Sequence, residues 1–359
     1  MKKKMLLVAM YPKDEVPYAQ PYLDVFSNQN IDYRIIYWNR NVTKENEFND
    51  KEIFFNLECP NGGNKVKKIF KMLSYAKFIR KEMRKEIYGK IVVLTTVPGI
   101  MTFDILLNKY KGKYIYDIRD YTNEKNPIYF FIENKIIDNS FKTIISSLGF
   151  KQFLPKNRDY QVAHNISNNE EQDVTNINPL TSEKLVIGFV GNVRYENENI
   201  KLVDSLKGNK QMTFDYWGNV NNDFSKENLI ERSKRVKFHG SFSNKDKAKI
   251  YEKISFINAI YGNESLEVTT ALPNRLYDAL IFKKPILTSK GTFLGEIVEK
   301  NGIGIAIDLD KDNVKNKLDL YIENFDYEKF KDICNQLLTS YVEEQSEFER
   351  QICKFTKRT

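Results

Sequence analysis

Short apolar runs alternate with amphipathic stretches along most of this chain. Each apolar run has the length of a buried strand, and the stretches between them carry apolar residues at helical spacing. The first half predicts strands at residues 5–10, 33–38, 91–95, 114–118 and 143–146, with helices at 21–28, 65–87, 99–109, 128–139 and 149–154. The second half predicts strands at 185–189, 213–217, 236–239, 256–260, 285–288 and 304–307, with helices at 200–206, 245–253, 273–282 and 294–301. Such alternation indicates βαβ units and parallel sheets.

A polar stretch at residues 166–184 interrupts this alternation and reads as a linker or surface loop. The sequence therefore predicts an α/β protein with two doubly wound, Rossmann-like domains at residues 1–165 and 185–325, followed by a helical tail at 326–359. In open α/β sheets, ligands bind beyond the carboxyl ends of the strands. Two such sheets facing each other would place a site in the cleft between them.

Composition is that of an ordinary globular protein, with 359 residues, 41% hydrophobic and 29% charged. The net charge of +8 favours an anionic partner, such as nucleotide phosphates, an anionic membrane surface or nucleic acid. Three cysteines without metal-ligand spacing indicate a reducing compartment, and two histidines argue against a histidine-based zinc site. The apolar run at residues 5–10 is too short for an export signal, and no segment is long enough to span a membrane.

Residues 272–280, Leu-Pro-Asn-Arg-Leu-Tyr-Asp-Ala-Leu, are the most informative stretch. Pro273 suits the first turn of a helix, whose N-terminus can hold a phosphate. Asp278 is expected inside this helix, on a surface that a ligand could reach, where its carboxylate could accept hydrogen bonds from a ribose. No Gly-x-Gly-x-x-Gly follows the first strand of either domain, and no Walker A loop is present, which argues against an NAD enzyme or a P-loop kinase.

This stretch, with Gly-Phe-Val-Gly-Asn-Val-Arg at 188–194 and Phe-His-Gly-Ser-Phe at 238–242, resembles the donor-binding half of GT-B glycosyltransferases. It is most similar to the large family 4 group, which includes capsule and exopolysaccharide enzymes. The resemblance covers most of residues 100–310 and is strongest from 185 to 305. It implies the GT-B fold, in which two Rossmann-like domains face each other across a cleft and the C-terminal tail packs back toward the first domain.

The resemblance also implies where a nucleotide-sugar donor binds. Gly191 would let the backbone approach the ligand, while Arg194 and Lys201 would offset charge on the leaving diphosphate. His239 and Gly240 would lie beside the base, and Asp278 would contact the ribose. The expected donor-binding residues are Gly191, Arg194, Lys201, His239, Gly240, Asn274, Arg275, Leu276 and Asp278. The alternative for the charged residues is plain solvent exposure, and for His239 a packing role at the strand end.

Family 4 members usually carry a second acidic residue before the ribose-binding one, with seven residues between them. Here that position is Thr270, and Glu264 and Glu267 are out of register. The loop at residues 261–272 is nevertheless expected to line the sugar site, because backbone N–H groups can bind hydroxyls without side chains.

In the first domain, the strand end around Asp117 and Asp120 resembles an aspartate-rich strand end of capsule and lipopolysaccharide transferases. Either carboxylate could serve as the general base for the acceptor hydroxyl, or position the acceptor if configuration is retained. The alternative is structural, with an aspartate capping the following turn and Arg119 pairing with it. The catalytic candidates are thus Asp117, Asp120 and Arg194. His164 stands at an interdomain turn of the family and is expected to be structural.

The predicted helix at residues 65–87 has a basic side. Its apolar residues at helical spacing are Val66, Ile69, Phe70, Leu73, Ala76 and Met83. On the opposite side, the helical projection places Phe78 among Lys67, Lys71, Lys81 and Lys85, a combination typical of a helix on an anionic membrane surface. The alternative is a Rossmann-type helix with a solvated basic face.

The sequence therefore predicts a cytoplasmic GT-B glycosyltransferase, peripheral on the inner face of the membrane if the basic side of the helix at residues 65–87 binds anionic lipid. It would transfer a hexose or related sugar from a nucleotide diphosphate, with a UDP-sugar favoured, to a glycan or lipid-linked glycan in surface polysaccharide assembly. No metal or other cofactor is expected. Two alternatives remain, a GT-B-like sugar-nucleotide epimerase and an inactive, transferase-like partner protein. Nucleic-acid binding is not expected, because acidic residues are interspersed with the basic ones and no nucleic-acid-binding motif is present.

Overall fold

The computed structural model describes residues 4–40, 49–59, 65–166, 178–181 and 183–357. The chain divides into two compact units, Met1–His164 with Glu344–Thr359, and Asn165–Glu343. The division falls inside the last helix rather than at residue 326. Most of the predicted connecting stretch at 166–184 lies outside the described residues. Each unit is built on its own parallel sheet, so the predicted α/β class with two doubly wound domains is confirmed.

The described part of the first domain contains a seven-stranded sheet in the order β3-β2-β1-β4-β5-β6-β7, with every pairing parallel. Its strands are β1 Met5–Val8, β2 Tyr33–Asn39, β3 Glu52–Asn56, β4 Lys90–Leu94, β5 Tyr114–Ile118, β6 Lys142–Ile145 and β7 Tyr160–Val162. Its helices are α1 Gln20–Asn28, α2 Lys65–Lys85, α3 Thr96–Lys109 and α4 Pro127–Asn139. The central strands are continuous apolar runs because helices cover both faces of a doubly wound sheet.

The second domain has a six-stranded parallel sheet in the order β10-β9-β8-β11-β12-β13 among its described residues. Its strands are β8 Leu185–Val190, β9 Met212–Trp217, β10 Val236–Gly240, β11 Phe256–Ala259, β12 Ile286–Ser289 and β13 Gly304–Ile307. Its helices are α5 Glu196–Ser205, α6 Lys226–Arg232, α7 Lys247–Glu252, α8 Leu266–Thr270, α9 Asn274–Phe282, α10 Phe293–Asn301 and α11 Val314–Glu323, and α12 Tyr327–Lys357 closes the chain. Chain order reverses between β8 and β11, as it does between β1 and β4 in the first domain, and ligands bind at such switch points.

The end of α12 belongs to the first domain. Phe348, Ile352 and Phe355 are fully buried in a hydrophobic cluster with residues of β1, α1 and β4. At the start of this segment, the backbone N–H of His164 donates to Gln345 Oε1 at 2.9 Å, and its ring Nε2 lies 3.0 Å from Glu344 Oε2. His164 is thus buried by contacts that anchor the tail.

Helix α2 turns a different face inward from the one that its sequence predicts. Val66, Ile69, Phe70 and Leu73 are 55–66% exposed, whereas Tyr75 and Ile79, which lie outside the predicted apolar face, are fully buried. Met83 belongs to the predicted face and is also fully buried. Phe78 is half-buried, with its ring 5.1 Å from that of Phe55 on β3, and its predicted membrane contact stays a prediction. Lys71 is also held inward, with its Nζ donating to the carbonyl of Glu58 at 2.5 Å. The solvent side of α2 is therefore apolar in its first turns.

A pair of buried carboxyl groups lies between α4 and the loop after β5. Glu133 is fully buried and accepts a hydrogen bond from the Tyr116 hydroxyl at 3.1 Å. Burial, reinforced by the charge of Glu124, raises the pKa of Glu133 to about 8. Burial also raises the pKa of Glu124, which is only 6% exposed. Glu133 is therefore largely protonated in the folded protein at neutral pH.

We expect Glu133→Gln to stabilise the protein at pH 8 and to have little effect at pH 4. In the unfolded chain a glutamate ionises near pH ~4.3, so the folded state alone keeps the proton between that pH and about 8. Folding stability consequently falls as pH rises through this window, by up to about 1.4 kcal/mol per pH unit for a fully shifted group. Melting temperatures across the window test this. The exposed Glu231→Gln is the control, and equal pH slopes in Glu133→Gln and wild type would contradict the assignment.

Candidate functional site

Three glycines mark the carboxyl edge of the second-domain sheet. Gly191, Gly218 and Gly240 lie at the ends of the adjacent strands β8, β9 and β10, with φ angles of +120°, +130° and +78°. A Cβ atom on Gly218 would lie only 2.0 Å from the carbonyl oxygen of Gly191, so these two backbone segments touch. Glycine is the residue that permits both this conformation and this close approach. The result is an edge where backbone is accessible without intervening side chains.

Arg275, in the first turn of α9, points at this edge. A Cβ atom placed on Gly191 would lie 3.3 Å from Arg275 Nη2. The guanidinium carbon lies 3.8 Å from the ring centre of Phe189 and 5.2 Å from that of Tyr261, so two aromatic rings from the ends of β8 and β11 position it. The Arg275 residue is only 9% exposed. The sequence does not reveal that two aromatic rings contact this guanidinium, because Phe189 and Tyr261 are far apart along the chain.

No charge of opposite sign pairs with Arg275 in the described part of the chain, and its Nε has no hydrogen-bond partner. Its pKa falls to about 10, chiefly because burial disfavours the charged form; Tyr251 and the Asp278 carboxylate oppose this shift, and the nearby Arg194 charge adds to it. At neutral pH the Arg275 guanidinium still carries its charge. A buried cation is costly unless it is paired. The missing counter-charge is what a bound anion would supply.

Arg194 lies in the loop between β8 and α5, exposed, with its guanidinium 5.2 Å from the ring of Tyr195. Tyr195 has a left-handed backbone, with φ of +64°, and its ring stacks on that of Tyr261 at 4.7 Å. The structure thus brings together Gly191, Arg194 and Arg275 of the predicted donor-binding residues. Asn274 is exposed beside them at the start of α9, where it accepts a hydrogen bond from the Asn165 amide at 3.1 Å.

Asp278 occupies a different environment from the one predicted. The sequence predicts a surface that a ligand can reach, but seven of the nine residues of α9 are buried and Asp278 is only 5% exposed. Its carboxylate accepts hydrogen bonds from the Tyr251 hydroxyl at 2.7 Å and Lys247 Nζ at 3.0 Å, both on α7. These contacts join α7 to α9. The ribose contact of Asp278 stays a prediction. In the structure its carboxylate binds side chains of the same domain.

Leu276 is fully buried in the core of the second domain, and its backbone N–H donates to the Pro273 carbonyl at 3.0 Å. Leu276 packs in a cluster that includes Val190 and Trp217, the residues before Gly191 and Gly218, and its contribution to donor binding stays a prediction. Thr270 is likewise fully buried, with its hydroxyl donating to the Leu266 carbonyl at 2.5 Å. Thr270 therefore does not supply the carboxylate that family 4 members usually carry at this position.

Two other predicted donor-binding residues of the second domain, His239 and Lys201, each contact an acidic side chain. His239 Nε2 lies 2.8 Å from Asp215 Oδ2, and its ring stacks on Trp217 at 4.5 Å with an interplanar angle of 9°. Gly240 next to it accepts a hydrogen bond from the Gly218 N–H at 2.6 Å. Lys201 Nζ lies 2.9 Å from Asp310 Oδ1, and this hydrogen bond raises the pKa of Lys201. In this structure Lys201 is therefore neutralised, unlike the two arginines.

A groove of about 460 Å³ adjoins the aromatic pair Tyr195 and Tyr261. The loop after β11 lines one side with Gly262, Glu264 and Ser265, helix α8 adds Val268, and the first turn of α5 lines the other side. Glu198 on α5 faces it, and burial raises the pKa of this carboxyl group. The loop predicted to line a sugar site thus does border a cavity beside the arginine pair.

Of the two first-domain aspartates, Asp117 is fully buried. Its Oδ1 lies 2.6 Å from Arg119 Nε, and its Oδ2 accepts hydrogen bonds from Arg119 Nη2 and the Tyr22 hydroxyl, each at 2.7 Å. A carboxylate in this position cannot meet an acceptor hydroxyl, so the structural alternative applies to Asp117. Asp120, three residues later, is exposed at the carboxyl end of β5. Only Asp120 keeps the geometry of a substrate-contacting carboxylate.

The described residues contain no group of three or more histidine, cysteine, aspartate or glutamate side chains arranged to hold a metal ion. No described helix combines the length and apolarity needed to cross a bilayer.

Comparison with known proteins identifies the fold through structure alone. No protein-family model matches the chain. No curated protein matches its sequence. Among solved structures, sucrose-phosphate synthase from Thermosynechococcus elongatus has a TM-score of 0.70 at 12% identity, covering 98% of this chain and 100% of its own. HepE from Anabaena in complex with UDP has a TM-score of 0.65 at 13% identity, covering 98% and 100%. The lipopolysaccharide outer core galactosyltransferase WaaB has a TM-score of 0.66 at 13% identity, covering 98% and 99%. The two doubly wound domains of this chain thus have the GT-B fold of these proteins.

Proposed function

We propose that this protein is a glycosyltransferase that binds a nucleoside diphosphate sugar at the glycine edge of its second domain. The observation that carries the proposal is the pair Arg275 and Arg194, two neighbouring guanidiniums without an acidic partner in the described residues. They face a backbone edge at the β8/β11 switch point, where a doubly wound sheet binds ligands. A diphosphate matches this charge and geometry, because planar guanidiniums bind phosphate oxygens in pairs. The fold shared with HepE, whose structure contains UDP, supports this choice.

In this proposal the two arginines act on the leaving group. Charge accumulates on the diphosphate as the glycosidic bond to the nucleotide breaks, and fixed cations nearby stabilise that charge. This gives the arginines the role that a divalent metal plays in other transferases. The sugar would occupy the groove beside Tyr195 and Tyr261, where Glu198 and Glu264 can accept hydrogen bonds from its hydroxyls. Asp120 is the carboxylate proposed to position or deprotonate the acceptor hydroxyl.

A thermal-shift panel of UDP, GDP, ADP and CMP with their sugar conjugates tests the proposal. We expect one nucleotide, UDP first, to raise the melting temperature, because a ligand at a hundredfold excess over its Kd adds about 2.7 kcal/mol to the folded state. Release of that nucleotide from its sugar conjugate on addition of acceptor would establish transfer. Binding without turnover would favour an inactive, transferase-like partner, and no shift with any nucleotide would overturn the proposal.

We propose further that the acceptor is a lipid-linked glycan for surface polysaccharide and that the protein docks on the cytoplasmic face of a membrane through α2. The four exposed apolar residues Val66, Ile69, Phe70 and Leu73 occupy the solvent side of its first turns. Lys77, Lys81 and Arg84 continue the same side of the helix and are exposed. Apolar side chains beside cations suit insertion at the surface of an anionic bilayer. Lys67 and Lys85 are exposed at the margin of this face.

We expect Phe70→Gln with Leu73→Gln to reduce sedimentation of the protein with phosphatidylglycerol-containing vesicles by at least about tenfold. Each large apolar side chain contributes roughly 1.5–3 kcal/mol when it leaves water, and insertion at an interface gains part of that. The matched control is Ile230→Gln with Leu320→Gln, which removes two exposed apolar residues from the second domain. Unchanged sedimentation of the α2 variant, or equal loss in the control, would contradict docking through α2.

A further inference from the structure

Polar side chains follow four adjacent strands at the carboxyl edge of the first-domain sheet. Strands β2, β1, β4 and β5 are neighbours, and Arg40, Tyr11, Thr95 and Arg119 come after them. Chain order reverses between β1 and β4, in the middle of this group. This is the position at which a doubly wound sheet opens a crevice for a ligand. None of these residues belongs to the donor site proposed above.

Arg40 stands out in this group because its charge is not neutralised. The residue is 8% exposed, and its guanidinium carbon lies 4.7 Å from the ring centres of both Tyr11 and Trp38. Its Nε is buried without a hydrogen-bond partner, and no acidic side chain of the described residues pairs with it. Arg119 is equally buried but is neutralised by Asp117. The edge thus carries one net buried positive charge.

Two further polar atoms at this edge are buried without partners among the described residues. The Tyr18 hydroxyl is one, and its ring lies 5.1 Å from the Arg119 guanidinium. The Thr95 hydroxyl is the other, on a residue that is 9% exposed at the end of β4. Thr95 has a φ of +73°, which a β-branched residue adopts only under constraint. Buried polar groups normally find partners, so three such groups at one strand edge indicate a missing ligand.

We propose that Arg40, with the Tyr18 and Thr95 hydroxyls, binds an oxyanion carried by the sugar acceptor, either a phosphate ester or a carboxylate. The proposal rests on the proposed transferase function, since it names the chemical class of the acceptor. A guanidinium offers paired N–H donors that match the oxygens of either group, and hydroxyls add donors that a neutral sugar would not need there. Arg119 is excluded from this role because its Nε and Nη2 already face Asp117, which neutralises its charge.

The test compares three glucose derivatives: glucose 1-phosphate, with a phosphate at C1, glucuronate, with a carboxylate at C6, and the uncharged methyl glucoside. Each is titrated calorimetrically into wild-type protein, Arg40→Gln and Arg34→Gln, with UDP saturating the second domain. Arg34 is the matched control because it lies on the same strand β2, but it is partly exposed and 3.4 Å from Glu86. We expect at least one anionic sugar to bind wild type at least about tenfold more tightly than methyl glucoside. Arg40→Gln should remove that difference, and Arg34→Gln should keep it.

The anion that binds identifies its source. Preference for glucose 1-phosphate indicates a phosphorylated acceptor, and preference for glucuronate indicates a uronic acid. Equal binding of methyl glucoside, no binding of either anionic sugar, or affinities unchanged within twofold in Arg40→Gln would overturn the inference. Arg40→Lys, which keeps the charge and loses the paired donors, carries the same test with partial loss expected if Arg40→Gln does not fold. If UDP does not bind, the three sugars are titrated without nucleotide into the Arg275→Met protein, with and without Arg40→Gln. This series tests the Arg40 site separately from the proposed donor site.

Discussion

Arg275→Met is expected to weaken UDP binding by at least about a hundredfold without lowering the melting temperature of the unliganded protein. Truncating one partner of a buried, hydrogen-bonded charge pair costs about 2–5 kcal/mol of binding free energy. In the unliganded protein the same guanidinium is a buried charge with no acidic partner, so methionine of similar length removes a desolvation cost and still packs between Phe189 and Tyr261. Calorimetric titration of UDP and thermal unfolding measure the two effects on one sample.

The control for this variant is Arg232→Met in the same domain. Arg232 is exposed and paired with Asp204 on α5, so its loss should leave UDP affinity unchanged. A fall in melting temperature for Arg275→Met with retained UDP affinity would show that the guanidinium is structural and would remove the main support for the donor site. Loss of both would indicate that the aromatic contacts of Arg275 stabilise the fold as well as the ligand.

The sequence could predict the strands and most helices of this chain because buried parallel strands are nearly continuous apolar runs. It missed β3 and β7, the two edge strands of the first sheet. The residues of β3 are mostly half-buried, and β7 has only three residues, so neither has the apolar run that marks a central strand. The short helices α6 and α8 and the helix α11 were also not predicted. α6 and α8 have seven and five residues, too few to show a helical period, whereas α11 buries Val314 and Leu318 at helical spacing and could have been predicted.

For α2, periodicity gave the wrong inward face. Val66, Ile69, Phe70 and Leu73 of the predicted apolar stripe are exposed, and the core instead receives Tyr75 and Ile79 together with Met83, the one fully buried member of that stripe. A hydrophobic stripe indicates that a helix face contacts an apolar partner, but it does not indicate that this partner is the sheet of the same domain. The aromatic contact between Phe78 and Phe55 depends on β3, which the sequence pattern did not reveal.

The candidate site was predictable as a motif but not as a charge arrangement. Residues 188–194 and 272–280 carry the resemblance that placed Arg194 and Arg275 near a diphosphate. Whether a basic residue keeps a net charge depends on partners that are distant in sequence. Asp310 neutralises Lys201, whereas no acidic residue reaches Arg275 or Arg40 among the described residues. Asp117 similarly changes from a catalytic candidate to a structural one through Arg119 and Tyr22.

Gly218→Ala is expected to destabilise the second domain by about 3 kcal/mol or more and to abolish UDP binding. The new Cβ would lie 2.0 Å from the Gly191 carbonyl oxygen and 2.7 Å from its carbon, and backbone atoms cannot rotate away as a side chain can. The φ of +130° adds strain of roughly 1–3 kcal/mol. Relief requires Gly191 to move, and Gly191 faces the Arg275 guanidinium. Thermal unfolding should show a fall of roughly 6–12 °C at about 2–4 °C per kcal/mol.

Two other glycines separate the steric clash from the backbone strain. Gly240 has a positive φ of +78° but no atom within 4 Å of an added Cβ, so Gly240→Ala should cost only the strain, about 1–3 kcal/mol. Gly208 has neither constraint, so Gly208→Ala should be neutral or stabilise by about 0.4–1 kcal/mol. If all three substitutions lowered the melting temperature equally, the close contact between the backbones of Gly191 and Gly218 would not be what makes a side chain at Gly218 destabilising. The graded order, with UDP binding lost only where Gly191 must move, is what a site built on that contact requires.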